Sequence, residues 1–135
     1  MSNIIHKIAA VVIQDDTFLM VRKKGKDVWT SLGGHPEESE SDEVALLREI
    51  KEEMGCDASI LKKLGDFEAP AAHDDAIVRL STYLVTLNGP IIFDDPELEE
   101  YRFIDKRYKA QGIKLTGSIE TKVIPYCIEA MLLHW

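Results

Sequence analysis

Residues 34–56 read GHPEESESDEVALLREIKEEMGC, and this stretch decides the fold. Between Pro36 and Glu53 it holds eight acids (Glu37, Glu38, Glu40, Asp42, Glu43, Glu49, Glu52 and Glu53) against Arg48 and Lys51, a local balance of −6. Gly33, Gly34 and Pro36 break the pattern before it and open a loop. Ser41 can then cap a helix whose first turn carries Asp42 and Glu43, suited to the positive end of the helix dipole. Leu47, Ile50 and Met54 fall on one face at i, i+3 and i+7, and Gly55 stands where a left-handed cap ends a helix.

On that helix Glu49, Glu52 and Glu53 sit at i, i+3 and i+4, so three carboxylates share a face roughly opposite the apolar stripe. A dense run of charge is ordinarily a solvated helix face. Three carboxylates this close repel one another, however, and a divalent cation would neutralise them; hard oxygen ligands suit Mg²⁺ or Mn²⁺. Arg48 lies one turn from Glu52, where a forked pair could hold a carboxylate in place.

The spacing as a whole is Gly34, five residues, Glu40, seven residues, Arg48-Glu49-Ile50, one residue, Glu52-Glu53, one residue, Gly55, then Cys56. It resembles the Nudix box, G-x5-E-x7-R-E-U-x-E-E-x-G-U with U aliphatic, and all seven fixed residues match. Cys56 stands at the final U as a small hydrophobe. Outside the box, Phe18 to Lys23 looks like the strand that precedes it in MutT-like members. Trp29 to Gly34 looks like their W-x-x-P-G-G approach, with Leu32 where proline is common.

That resemblance implies an α/β fold, an α/β/α sandwich with a mixed sheet, formed as one domain over residues 1–135 with the box at 34–56. It implies Mg²⁺-dependent (or Mn²⁺-dependent) hydrolysis of a nucleoside diphosphate linked to another moiety. The metal ligands would be Glu49, Glu52, Glu53 and the carbonyl of Gly33; Arg48 would orient them, Gly34 would give the loop backbone freedom, and Glu40 would support loop and helix. Clustered metal on a carboxylate helix neutralises the leaving oxygens and positions a water. The expected substrate is a nucleoside triphosphate or modified deoxynucleoside triphosphate, as in MutT-like members. ADP-ribose or a nucleotide sugar is the alternative, as is a non-catalytic nucleotide sensor, although sensors usually erode the glutamates that this chain keeps.

Other residues carry two readings each. Lys23 and Lys24 leave a strand where relatives present a cation to phosphates, against the plain reading of solvated lysines. Trp29 could stack on a base or simply pack. Arg79, in an apolar strand, could face the cleft. The acidic loop Asp94 to Glu100 precedes Tyr101 to Ile104, which resembles a strand start found there in the family. Relatives often recruit a further carboxylate from such a loop, and Glu97, six residues before Phe103, has the expected spacing; the plain reading is a solvated loop that blunts a strand edge. His35 and His73 read as surface or loop histidines, and Asp74-Asp75 as a turn. Pro70, fourteen residues beyond Cys56, stands near a marker proline of ADP-ribose-cleaving members at a different offset.

The rest of the chain agrees with a small α/β domain. Ile8 to Ile13 and Thr17 to Val21 read as hairpin strands across Gln14-Asp15-Asp16; Ile60 to Phe67, Ile77 to Leu87 and Ile91 to Phe93 read as further strands. Ser118 to Leu133 is helical by pattern, with a kink or restart at Pro125. With 135 residues, 45% hydrophobic and 30% charged, the chain can bury one core. A net charge of −8 argues against a nucleic-acid binder. No apolar run is long enough for a membrane span and no signal-peptide layout opens the chain, so it reads as cytoplasmic, a monomer or homodimer acting on a small nucleotide. Cys56 and Cys127 lack paired spacing and read as buried thiols.

Overall fold

Along strand β3 (Thr17–Lys23), Phe18 and Met20 enter one buried cluster while Leu19 and Val21 enter another, so this strand is covered on both faces. The same alternation holds in β1 (Asn3–Val11), where Ala9 and Val11 face one cluster and Ile8 and Ala10 the other. A sheet buried on two sides needs a helical layer on each. In the computed structural model, which describes residues 3–71 and 75–135, α1 (Asp42–Met54) supplies one layer through Leu46, Ile50 and Met54. A π-helical turn (Ile119–Val123) running into α2 (Ile124–Glu129) supplies the other through Ile119, Val123 and Cys127. The expected α/β/α sandwich with a mixed sheet is what forms, as a single domain.

The strands are completed by β2 (Ile13–Gln14), β4 (Val28–Gly34), β5 (Asp57–Pro70), β6 (Ala76–Asn88), β7 (Leu98–Ile104) and β8 (Lys114–Leu115). Their order is β2-β3-β4-β1-β6-β5, with β7 on β3 and β8 on β4. The β1–β6 and β4–β8 pairs are parallel and the others antiparallel.

Four details correct the sequence expectation. The hairpin across Asp15 and Asp16, both at positive φ, joins only β2 to β3; β1 itself pairs with β4 and β6. Ile91 to Phe93 is not a strand. The Ile92 N–H donates to the Met54 carbonyl at 2.8 Å, so the segment closes the end of α1 instead of joining the sheet. The closing helix ends at Glu129 rather than Leu133, with Met131 in left-handed geometry, and the expected irregularity at Pro125 takes the form of a π turn that runs directly into α2 just before it. Finally, α1 is rotated relative to expectation: Ala45, Leu46, Ile50, Glu53 and Met54 are buried, whereas Leu47 is exposed. Ser41 accepts from the Val44 N–H at 3.2 Å and Gly55 is left-handed at φ 66°, so both caps are as expected.

Candidate active site

Rotation of α1 puts Glu53 against the end of β4 rather than in solvent. Glu53 is 8% exposed and its Oε1 accepts from the Gly33 N–H at 3.0 Å. Burial pushes its pKa up to about 8, against the Gly33 hydrogen bond, with the neighbouring charges of Glu49 and Asp95 adding to the rise. Glu49 is also raised, chiefly by burial.

The two glycines at the end of β4 act by different means. Gly33 has φ 144°, and a Cβ there would strike the Ile8 carbonyl oxygen. At Gly34 the need is space: a Cβ would lie 2.6 Å from Oε1 of Glu49. The conformational freedom expected of Gly34 therefore belongs to Gly33.

Arg48 gathers the remaining carboxylates. Its fork closes on Glu40, Nε to Oε2 and Nη2 to Oε1 both at 2.8 Å, not on Glu52. Nη1 also donates to Glu49 at 3.2 Å and to Glu52 at 3.3 Å. Glu40 in turn accepts from the Glu37 N–H at 2.7 Å, and the bond from Arg48 foremost holds its carboxyl at about 2. The chain from Glu37 to Glu40 is thus tied to α1 through one guanidinium.

These groups line a cleft of about 360 Å³ that also takes in Lys23, His35, Asp95 and Glu97. Of the expected site residues, the structure brings together Lys23, Gly33, Arg48, Glu49, Glu52, Glu53 and Glu97. It does not bring Trp29 or Arg79 to this cleft. Trp29 is 5% exposed in the core, opposite Arg22 in the β3–β4 register, with the guanidiniums of Arg22 and Arg102 at 5.8 Å and 5.6 Å from its ring. Arg79 pairs across the strands with Glu68 at 2.7 Å. The acidic loop is shorter than expected, because β7 begins at Leu98 rather than Tyr101: Asp95 and Glu97 of the loop line the cleft, while on the strand Glu100 is held by Arg22 at 2.9 Å and Glu99 is exposed. Cys56 and Cys127 are buried. His73 and Asp74 lie outside the described residues.

Sequence reasoning gave no site role to Asp95 or His35, and both line the cleft. Asp95 belongs to the loop already singled out but reaches the site only because its carbonyl and carboxylate fold the loop, accepting from the Leu98 and Glu97 N–H groups at 3.2 Å and 2.9 Å. His35 lines the cleft with its ring 3.2 Å from the His6 carbonyl, a long-range contact with no sequence signal.

The donor set suits a hard divalent cation. Glu53 is a buried carboxylate with a single donor on it, and the charges of Glu49 and Asp95 beside it outweigh the offsetting charge of Lys23. Among the described residues no three carboxylates stand close enough to cage an ion as placed. Glu49 and Glu52 lean on Arg48, and these contacts would give way for both to turn to a metal.

A NUDIX domain model matches residues 5–107. A Bacillus subtilis (strain 168) protein named "Putative 8-oxo-dGTP diphosphatase" is 34% identical over 65 residues, 48% of this chain and 44% of that protein, so less than half of the relative is spanned. The crystal structure of a UDP-X diphosphatase superposes with TM-score 0.81 at 21% identity, covering 100% of this chain and 66% of that one. A MutT protein from Methanosarcina mazei Go1 superposes with TM-score 0.74 at 18% identity, covering 96% of both chains. At these identities the superpositions speak for the fold.

Proposed function

The chain belongs to the NUDIX domain family, and on that premise we propose that it is a pyrophosphohydrolase, dependent on Mg²⁺ or Mn²⁺, that cleaves a nucleoside diphosphate linked to another group. Nucleoside triphosphates, modified deoxynucleoside triphosphates among them, are the substrate class we assign. The observation that carries this reading is the cleft in which Glu49, Glu52 and Glu53 of the box meet Lys23 and Glu97.

In this reading Glu49, Glu52, Glu53 and the Gly33 carbonyl hold the cation. When bound, it supplies neutralisation of charge on the pyrophosphate oxygens and polarises the attacking water. Arg48 sets the directions of Glu49 and Glu52 while itself fixed by Glu40. Lys23 draws the phosphates toward the helix, and Glu97 extends the carboxylate set from the opposite wall. Glu53, with one oxygen occupied by the Gly33 N–H, keeps its Oε2 for the cation, and Glu97 takes the proton of the attacking water. The bond from water oxygen to phosphorus forms as the bridging P–O bond breaks, and the leaving phosphate departs with the electron pair.

The test is a panel of deoxynucleoside triphosphates, oxidised forms, ADP-ribose, nucleotide sugars and dinucleoside polyphosphates, with products separated by anion exchange. Cleavage at a phosphoric anhydride, greatest for a triphosphate, is expected. Binding without cleavage across the panel would leave a sensor instead.

A further inference from the structure

Side-chain alternation along β7 does not run through to the strand's first residue. Ile104 enters the cluster under α2 and Phe103 packs on the cluster under α1, so even-numbered residues should face α2 and odd-numbered ones α1. Arg102, over the Trp29 ring, and Glu100, on Arg22, keep to that pattern. Leu98 breaks it: only 4% exposed, it lies in the α1 cluster. The cause is a bulge. Against β3 the register runs Met20 with Arg102, Val21 with Tyr101 and Arg22 with Glu100, then slips to Lys23 with Leu98, which leaves Glu99 with no residue opposite it. One extra residue turns everything before it over to the other face of the sheet. Asp95 and Glu97 therefore come out on the α1 side and line the cleft with Glu49, Glu52 and Glu53.

Both ends of this bulge lead back to the Arg22 guanidinium. Its Nε and Nη2 donate to one Glu100 oxygen at 3.1 Å and 2.9 Å, on the strand side of Glu99. Its Nη1 donates to the Lys26 carbonyl at 2.7 Å and closes the turn after β3. Within that turn the Lys24 N–H donates to the Glu97 carbonyl at 3.0 Å, on the loop side of Glu99. The guanidinium lies 5.8 Å from the ring of the buried Trp29, which gives it a seat. A partly exposed ion pair such as Arg22–Glu100 contributes little to stability. Placed at a register slip, it has a different consequence, because it selects the face on which the loop emerges.

We propose that Arg22 is a positioning residue for Glu97: through Glu100 and the Lys24–Lys26 turn it fixes the bulge at Glu99, and so holds Glu97 on the cleft wall from which it takes the proton of the attacking water. Arg22 is not itself a cleft residue and acts from the α2 face of the sheet. The proton transfer rests on the pyrophosphohydrolase reading; the pinning of the loop does not.

A double-mutant cycle by steady-state kinetics with Mg²⁺ on the best panel substrate, joined to amide hydrogen exchange on the same proteins without substrate, tests it. Arg22→Gln should lower kcat by about tenfold or more with KM little changed, and by no more than about twofold when Glu97 is already Gln, because its effect runs through that carboxylate. Exchange at the Lys24 and Leu98 amides should quicken in Arg22→Gln while the Gly33 amide, bonded to Glu53, keeps its protection. Arg22→Lys should not restore kcat, since a single ammonium lacks the fork that spans Glu100 and the Lys26 carbonyl. Glu100→Ala removes the pin from the β7 side and should reproduce both effects if Arg22→Gln fails to fold. An equal kcat loss in both Glu97 backgrounds overturns the proposal, as does undiminished kcat, or unchanged exchange at Lys24 and Leu98, in a folded variant. A silent Glu97→Gln beside normal wild-type turnover overturns it and leaves the hydrolase reading standing. A wild type that cleaves nothing in the panel removes the hydrolase reading and the proton transfer with it, and exchange then decides the pinning alone.

Discussion

Arg48 and Glu40, eight residues apart, are joined by two parallel hydrogen bonds of 2.8 Å, and this pair fixes the guanidinium that also holds Glu49 and Glu52. Positioning residues of this kind usually matter about 10- to 100-fold when removed. Glu40→Gln should therefore lower kcat within that range with KM little changed. Arg48→Lys should fail to rescue Arg48→Ala, because an ammonium cannot fork. Steady-state kinetics on the three variants checks this; a loss expressed wholly in KM would place Glu40 and Arg48 on the substrate instead.

Glu53 governs a pH dependence of stability in metal-free protein. Its pKa is raised in the folded chain to about 8, so folding favours the protonated form. The penalty is absent below the unfolded value near 4.5, grows as pH rises, and is complete above about 8, on the order of 5 kcal/mol. Metal-free wild type should lose Tm between those limits, and Glu53→Gln should flatten the curve while losing activity by orders of magnitude. Thermal melts in chelator across pH would contradict the burial argument if both proteins gave parallel curves.

The two glycines separate folding from function. Gly33→Ala meets the Ile8 backbone at a left-handed φ and should destabilise by about 2 kcal/mol or more. Gly34→Ala meets only the movable end of Glu49 and should leave Tm nearly unchanged while weakening Mn²⁺ binding. Melts and metal titration on both variants would show the contrast, and a large Tm loss at Gly34→Ala would refute it.

In the acidic loop, Glu97→Gln should depress kcat more than it raises KM, because Glu97 lines the cleft. Glu100→Gln should cost a little stability by loosening Arg22, and Glu99→Gln should be silent. Equal small effects in all three would leave the loop as surface.

Fixed spacing made the box legible, since its glutamates and glycines keep their offsets whatever the chain does elsewhere. Helix rotation was not legible. Leu46 and Leu47 are adjacent, periodicity alone accepts either, and the choice of Leu46 is what carries Glu53 inward to the Gly33 N–H. The forked partner of Arg48 lies eight residues away, before the helix begins. Ile91 to Phe93 looked like a strand because three apolar residues in a row fit one, yet an open carbonyl at the end of α1 claims the Ile92 N–H. Local pattern carries elements and motifs; tertiary approach decides which side of an element does the chemistry.

The most direct measurement of the central claim is the rate of anhydride cleavage of the best panel substrate as Mg²⁺ is titrated into metal-free wild type and metal-free Glu53→Gln. Saturable, chelator-reversible activity in the wild type, reduced by orders of magnitude in Glu53→Gln, is predicted. Cleavage that proceeds equally with chelator, or survives undiminished in Glu53→Gln, would contradict it.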